Sequence, residues 1–228
     1  MFSPEDLSAL WVSLQLATVS TLLLLILGTP LAWWLAHTRW KYKALLEALI
    51  ALPLVLPPTV LGFYLLLALG PNGPIGGTMV WLGQQSLAFT FTGLVLGSVI
   101  YSLPFVVQPL QSAFSSIGAR PMELAATLGA SPLDRFFTVA LPLARSGFIT
   151  AAVLGFAHTL GEFGVVLMIG GNIPGETQVL SIAIYNHVEA LEYGSAHRLS
   201  AGLLFLSFVL LIGIYAVNHR FSLLRIKS

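Results

Sequence analysis

Ala119-Arg120-Pro121-Met122-Glu123-Leu124-Ala125-Ala126-Thr127-Leu128-Gly129-Ala130-Ser131-Pro132-Leu133-Asp134 is a charged interruption between two long apolar runs. Its local chemistry reads as two short helices. Pro121 suits a first-turn position, where its missing N–H costs nothing, and Glu123 in the same turn suits the positive end of the helix dipole. Gly129 supplies a C-terminal stop. Ser131 then reads as an N-cap, with Pro132 at the first helical position and Asp134 at the third. The second helix carries Phe136, Phe137 and Val139 and ends near Leu141-Pro142. Two short helices joined by a tight glycine turn make a knob, the shape a membrane domain needs to receive a push from a soluble partner. Taken alone, the segment reads more readily as an ordinary amphipathic connector.

On either side of this segment, charge almost disappears. Of 228 residues, 57% are hydrophobic and only 8% charged, where a soluble domain carries about 25% charged residues. Too few charges remain to cover a surface facing water. From Leu7 to Thr38 there is no Lys, Arg, Asp or Glu, a run long enough to cross a bilayer. Spans are expected at about 11–36, 44–69, 86–109, 146–169 and 199–219. Two short helical pieces that do not span complete the expectation, and the cytoplasmic segment covers 111–145. Glycine- and proline-rich turns separate the spans at Gly70–Pro74 and Gly170–Gly175. The stretch 177–189 is too short and too polar to span. The expected fold class is all-α and integral to the membrane, with five transmembrane helices in a single domain over 1–228. The start lacks the basic region of a cleaved signal peptide, so the first span is expected to be retained.

Basic residues gather on the cytoplasmic side of a membrane. In this layout Arg39, Lys41, Lys43, Arg120, Arg135, Arg145, Arg220, Arg225 and Lys227 share one side. Only Arg198 falls on the other, beside Glu5, Asp6, Glu176, Glu189 and Glu192. The N-terminus is therefore expected outside and the C-terminus inside.

Several functions are excluded by what is missing. A net charge of +1 gives no basis for nucleic-acid binding, and without cysteine there is no thiol catalysis or cysteine-ligated metal. No phosphate loop of the G-x-x-x-x-G-K-[ST] type occurs, so the chain is not itself an ATPase. No HExxH and no nucleophile elbow point to an enzyme. A secondary transporter or channel would be favoured by inverted repeats or paired charges within spans, and only His158 with Glu162 approaches such a pair. A purely structural anchor sits poorly with a second span broken by prolines.

The segment from Glu123 to Pro142 resembles the cytoplasmic-loop signature of ABC importer permeases, E-A-A-x-x-x-G-x(9)-I-x-L-P. Glu123, Ala125, Gly129, Val139, Leu141 and Pro142 stand at the required spacing, with Leu124 in place of an alanine and Val139 in place of isoleucine. Two further stretches, Leu52–Tyr64 and Gly161–Gly164 with Gly170–Thr177, resemble molybdate permeases; sulfate and tungstate permeases share part of the pattern. The resemblance covers nearly the whole chain. It implies a type I ABC importer permease in a bacterial or archaeal inner membrane, assembled as a homodimer with two ATPase subunits that bind ATP and Mg. An external oxyanion-binding protein would deliver the cargo, and this chain itself would hold no cofactor. ATPase coupling would fall to Glu123, Ala125, Ala126, Gly129, Ala130, Leu141 and Pro142.

The candidate path or gate comprises Pro57, Pro58, His158, Glu162, Phe163, Asn172 and Tyr185. Pro53, Pro57 and Pro58 remove backbone donors and force a bend, and irregular backbone at membrane depth survives only inside protein or along a cavity. Ionisable groups in a span face a bundle interior or an aqueous path. His158 and Glu162, four residues apart, are expected on one helix face, where a mutually satisfied structural pair is as good a reading as a functional one. Permeases resembling this chain more often carry arginine at His158, and histidine would make that charge depend on pH. No other basic residue lies in a span, so a dianion would meet few fixed positive charges. Gly93 and Gly97 offer a small-residue spacing for close helix contact, though plain packing accounts for them.

Overall fold

A computed structural model of the chain describes residues 3–226, with side chains through residue 213 and at Tyr215. Lys227 and the side chains of His219, Arg220 and Arg225 lie outside the described residues. Among the described residues all regular structure is helical. The long elements are α1 (Pro4–His37), α5 (Phe91–Ile117), α9 (Arg145–Leu160) and α12 (Tyr193–Ile226). Shorter ones lie between them: α2 (Lys43–Ala51), α3 (Pro58–Leu69), α4 (Pro74–Trp81), α6 (Arg120–Thr127), α7 (Pro132–Arg135), α8 (Leu141–Leu143), α10 (Gly164–Gly170) and α11 (Leu180–Glu189).

α1 begins with a capping box: the Asp6 amide donates to Ser3 Oγ at 3.0 Å and the Ser3 amide to Asp6 Oδ2 at 2.9 Å. Its buried residues, Val12, Leu16, Ser20, Leu24, Gly28, Ala32 and Leu35, recur every three or four positions. This stripe packs on α5 and α9, and these three helices form the centre of the molecule. Gly155 on α9 lets the helices close up, because a Cβ there would collide with Val106 of α5. Gly97 likewise admits Ile169 of α10 against α5. Lipid offers little hydrophobic drive between helices, so this fine packing is what holds them together.

Four segments are long and apolar enough to cross a membrane: Pro4–His37, Pro58–Trp81, Phe91–Ile117 and Tyr193–Gly213. A fifth arises if Pro132–Leu143 and Arg145–Leu160, bent by 71° at Ala144, count as one. The outward surface of α12 is apolar, with Leu204, Phe205, Phe208 and Ile212 exposed.

The elements depart from the expected spans in four places. The expected second span is interrupted: α2 ends at Ala51, Leu52–Leu54 form a 3-10 turn, and the helix restarts at Pro58, where proline suits the first turn. Beyond the Gly70 turn, α4 forms in a stretch to which the sequence assigned no element. The third helix runs on to Ile117, eight residues past Pro109, carrying Pro104 and Pro109 inside it. The expected fourth span stops at Leu160 and restarts at Gly164.

Candidate functional site: an intramembrane polar ladder, a polar face and a cytoplasmic knob

The break between α9 and α10 places the ionisable pair of the sequence. Gly161 ends α9, so Glu162 leaves the helical register and no longer shares a face with His158. Among the described residues the two make no ion pair with each other; each turns to a serine on α5 instead. Ser98 Oγ donates to Glu162 Oε2 at 2.7 Å, and Ser102 Oγ lies 2.9 Å from His158 Nδ1 and 3.0 Å from Thr159 Oγ1. Ser98 and Ser102 are one helical turn apart, so they form a two-rung ladder along α5. Glu162 is buried, and its other oxygen, Oε1, meets no partner among the described residues. The His158 ring stacks on Phe105 at 3.8 Å between centroids and lies 4.8 Å from Tyr101.

The remaining gate candidates surround this break. A Cβ on Gly164 would strike Pro58, so the start of α10 lies directly on the restart of α3, with Pro57 as its N-cap. Phe163 packs on Tyr185 of α11 at 5.1 Å between centroids, and Tyr185 donates its hydroxyl to Glu189 at 2.6 Å. Ser181 of α11 donates to the Glu162 carbonyl. Asn172 lies apart from the ladder, in the α10–α11 turn: its Nδ2 donates to Asn186 Oδ1 at 3.2 Å and its Oδ1 accepts from Gln178 Nε2 at 3.0 Å. Thus Glu162, Phe163, Pro58 and Tyr185 surround the break, His158 sits one turn before it on Ser102 and Phe105, and Asn172 serves the turn beside them.

On α5, past His158, a polar face continues that the sequence reading overlooked. An open cavity of about 600 Å³ is lined by Gln108, Gln111, Ser112, Ser115 and Ser116. A second, of about 290 Å³, shares Gln108 and Ser112 and reaches Phe105 beneath His158. Positions 105, 108, 112 and 115 follow helical spacing, so they form one stripe, about 16 Å long from 105 to 116 at 1.5 Å per residue. Beside the stripe, Gln111 Nε2 donates to Glu47 Oε1 at 2.6 Å, and Lys43 lies 3.7 Å from the same oxygen. Glutamine and serine at that spacing were the available signal. Among the described residues no group of three His, Asp or Glu is gathered as for a metal.

The segment that follows α5 is a knob on the bundle. Gly129 adopts φ +86°, the left-handed conformation that favours glycine. Its amide donates to the Ala126 carbonyl at 3.0 Å and that of Ala130 to the Ala125 carbonyl at 3.1 Å, a Schellman stop for α6. Ser131 caps α7 by accepting from the Asp134 amide at 3.2 Å. Glu123 stands in the first turn of α6, and no α6 residue is buried. Leu124, Leu128 and Leu133 are 65%, 81% and 72% exposed, unusual for leucines beside so many charges. After α7 the chain forms a π-helical turn over Phe136–Ala140, then α8 with Leu141 and Pro142. Phe136 faces inward: its ring meets Trp33 of α1 edge-on at 5.2 Å, and Trp33 meets Phe114 of α5 at 5.1 Å. The knob is thereby seated on the two longest helices of the core.

A helical membrane bundle with an exposed cytoplasmic knob and a polar intramembrane face defines a transport subunit of the ABC importer permease type. The fold agrees: the chain superposes on a bacterial ABC transporter involved in import of the acidic polysaccharide alginate with a TM-score of 0.72 at 19% identity, over 96% of this chain and 79% of that one. Residues 28–223 match the model of the binding-protein-dependent transport system inner membrane component family, and the chain belongs to that family. It is 61% identical to the molybdenum transport system permease protein ModB of Azotobacter vinelandii over 220 residues, covering 96% of this chain and 97% of that one. It is 41% identical to ModB of Haemophilus influenzae over 185 residues, or 81% and 80% of the two chains.

Proposed function

We propose that this chain is the membrane-spanning subunit of an ATP-driven importer that carries molybdate into the cytoplasm by alternating access. One observation carries the coupling half of this reading: the exposed leucines of α6 and α7 offer a docking surface, and Phe136 ties that surface to α1 and α5. The cargo rests on the 61% identity to the A. vinelandii molybdenum permease. In this reading the whole chain is one permease unit, a homodimer places two α5 faces across a shared route, and two ATPase subunits bind ATP and magnesium. Glu123, Ala125, Ala126, Gly129, Ala130, Leu141 and Pro142 form the coupling surface. Closure of the ATPase dimer moves the knobs, and the bundle opens outward to accept the oxyanion from an external binding protein.

The ladder gives this cycle a gate. Pro57, Pro58, His158, Glu162, Phe163 and Tyr185 lie around the break that precedes α3 and the break between α9 and α10, where the backbone hydrogen bonds of a span are interrupted. Asn172 holds the outer turn against α11. The polar α5 face offers neutral donors along the route, and neutral donors bind a dianion weakly enough to release it.

Uptake of labelled molybdate by vesicles containing this chain, its ATPase and its binding protein tests the proposal. Saturable, ATP-dependent uptake that tungstate blocks and sulfate leaves unchanged is expected. Uptake that sulfate blocks, or none at all from an intact complex, would refute the cargo assignment.

A further inference from the structure

An apolar groove of about 230 Å³ runs between α1 and α12, with Leu180 of α11 also lining it. Leu7 and Leu10 line one side, and Leu199, Gly202, Leu203 and Leu206 the other. Both helices start on the side expected to be external, so the groove runs from that surface inward. The groove has room at Gly202, where a Cβ would meet nothing within 4 Å. Arg198 stands at its outer end, the one basic residue placed outside by the charge distribution.

Arg198 is exposed, and its Nη2 donates to Ser195 Oγ at 3.1 Å. Among the described residues no carboxylate lies within ion-pair distance of it. Asp6 borders the same groove but is committed elsewhere: Oδ2 accepts from the Ser3 amide and Oδ1 meets His187 Nε2 at 2.8 Å. A guanidinium has five donors, so most of this one's hydrogen-bonding capacity is free. A cation at the outer end of an apolar groove complements a molecule with an anionic head and an apolar tail.

We propose that this groove binds an anionic phospholipid of the outer leaflet, its phosphate on Arg198 and one acyl chain along Leu199–Leu206 between α1 and α12. The lipid would fill the seam where α12, otherwise largely exposed, meets the core, and so steady α12 against α1.

The test is native mass spectrometry of the full chain with its ATPase, titrated in detergent with phosphatidylglycerol or phosphatidylcholine. One phosphatidylglycerol per chain is expected, held about fivefold more tightly than phosphatidylcholine, the effect of one arginine at a membrane surface. Arg198→Gln should equalise the two lipids, and Gly202→Leu, which projects into open space and leaves the fold intact, should weaken both. Excess inorganic phosphate should displace neither. Equal binding of the two lipids by the unaltered chain, an undiminished preference in Arg198→Gln, or displacement by phosphate would overturn the proposal. So would a disulfide between Gly202→Cys of two copies in the membrane, which would assign the groove to a second chain; no native cysteine competes in that measurement.

Discussion

Ser98 on α5 donates its hydroxyl to Glu162, 64 residues further along the chain, at 2.7 Å, and this bond is the only one the Glu162 carboxyl makes among the described residues. Removing it strands a buried carboxyl. Ser98→Ala should therefore lower stability by about 1–3 kcal/mol, the cost of leaving a buried polar group unmet. Ser112→Ala, on the exposed face of the same helix, should stay within about 0.5 kcal/mol. Thermal unfolding in detergent compares the two variants; equal midpoints would contradict the ladder.

The knob separates two roles that substitutions can tell apart. Leu128→Asp alters an exposed side chain and should leave folding unchanged while the ATPase no longer co-purifies. Phe136→Ala should keep the ATPase bound but loosen the seat on Trp33, costing up to about 3 kcal/mol because the ring is only partly buried. ATP hydrolysis would then continue without uptake. If Phe136→Ala transported normally at full stability, the path of coupling through α1 and α5 would be wrong.

A third prediction concerns pH. Both ring nitrogens of His187 face carboxylates, Nε2 to Asp6 at 2.8 Å and Nδ1 to Glu192 at 2.9 Å, so the end of α11 is tied to the starts of α1 and α12. The hydrogen bond that His187 donates to the Asp6 carboxylate raises its pKa above the ordinary 6.5; burial, the next-largest influence, opposes this, and Glu192 adds to the rise. A raised folded pKa means that the protonated form favours the folded state. Its contribution is complete below about 6.5 and is lost as pH rises through the higher folded value. The unfolding midpoint should fall over that window, and His187→Gln should flatten that part of the profile. A midpoint that rises there in the unaltered chain alone would contradict the assignment.

What could be read from the sequence was local. Ser131 as a cap, Gly129 as a stop and a bend at Pro53–Pro58 each depend on a few neighbouring residues, and each stands in the fold, the bend as a full break in the helix. The pairing of His158 with Glu162 did not survive, because Gly161 ends α9 without a proline to announce it, and the true partners, Ser98 and Ser102, lie more than fifty residues away. The third helix ran past Pro104 and Pro109 because tertiary packing of Val106, Leu110 and Phe114 overrides two helix-breaking residues. The polar face at Gln108, Ser112 and Ser115 was hidden by its neutrality: a search for charges within spans passes over glutamine and serine, although their helical spacing was there to see.

The central claim is that this face of α5 is the conducting surface and that ATP switches the side from which it is reached. A single Ser112→Cys, in a chain with no cysteine of its own, tests it directly in vesicles holding the full transporter and binding protein. Because Ser112 lies towards the cytoplasmic end of α5, an impermeant thiol reagent should label it from the cytoplasmic side without nucleotide, and the labelling should be lost once ATP is bound and hydrolysis is blocked. Equal labelling in both states would contradict the account.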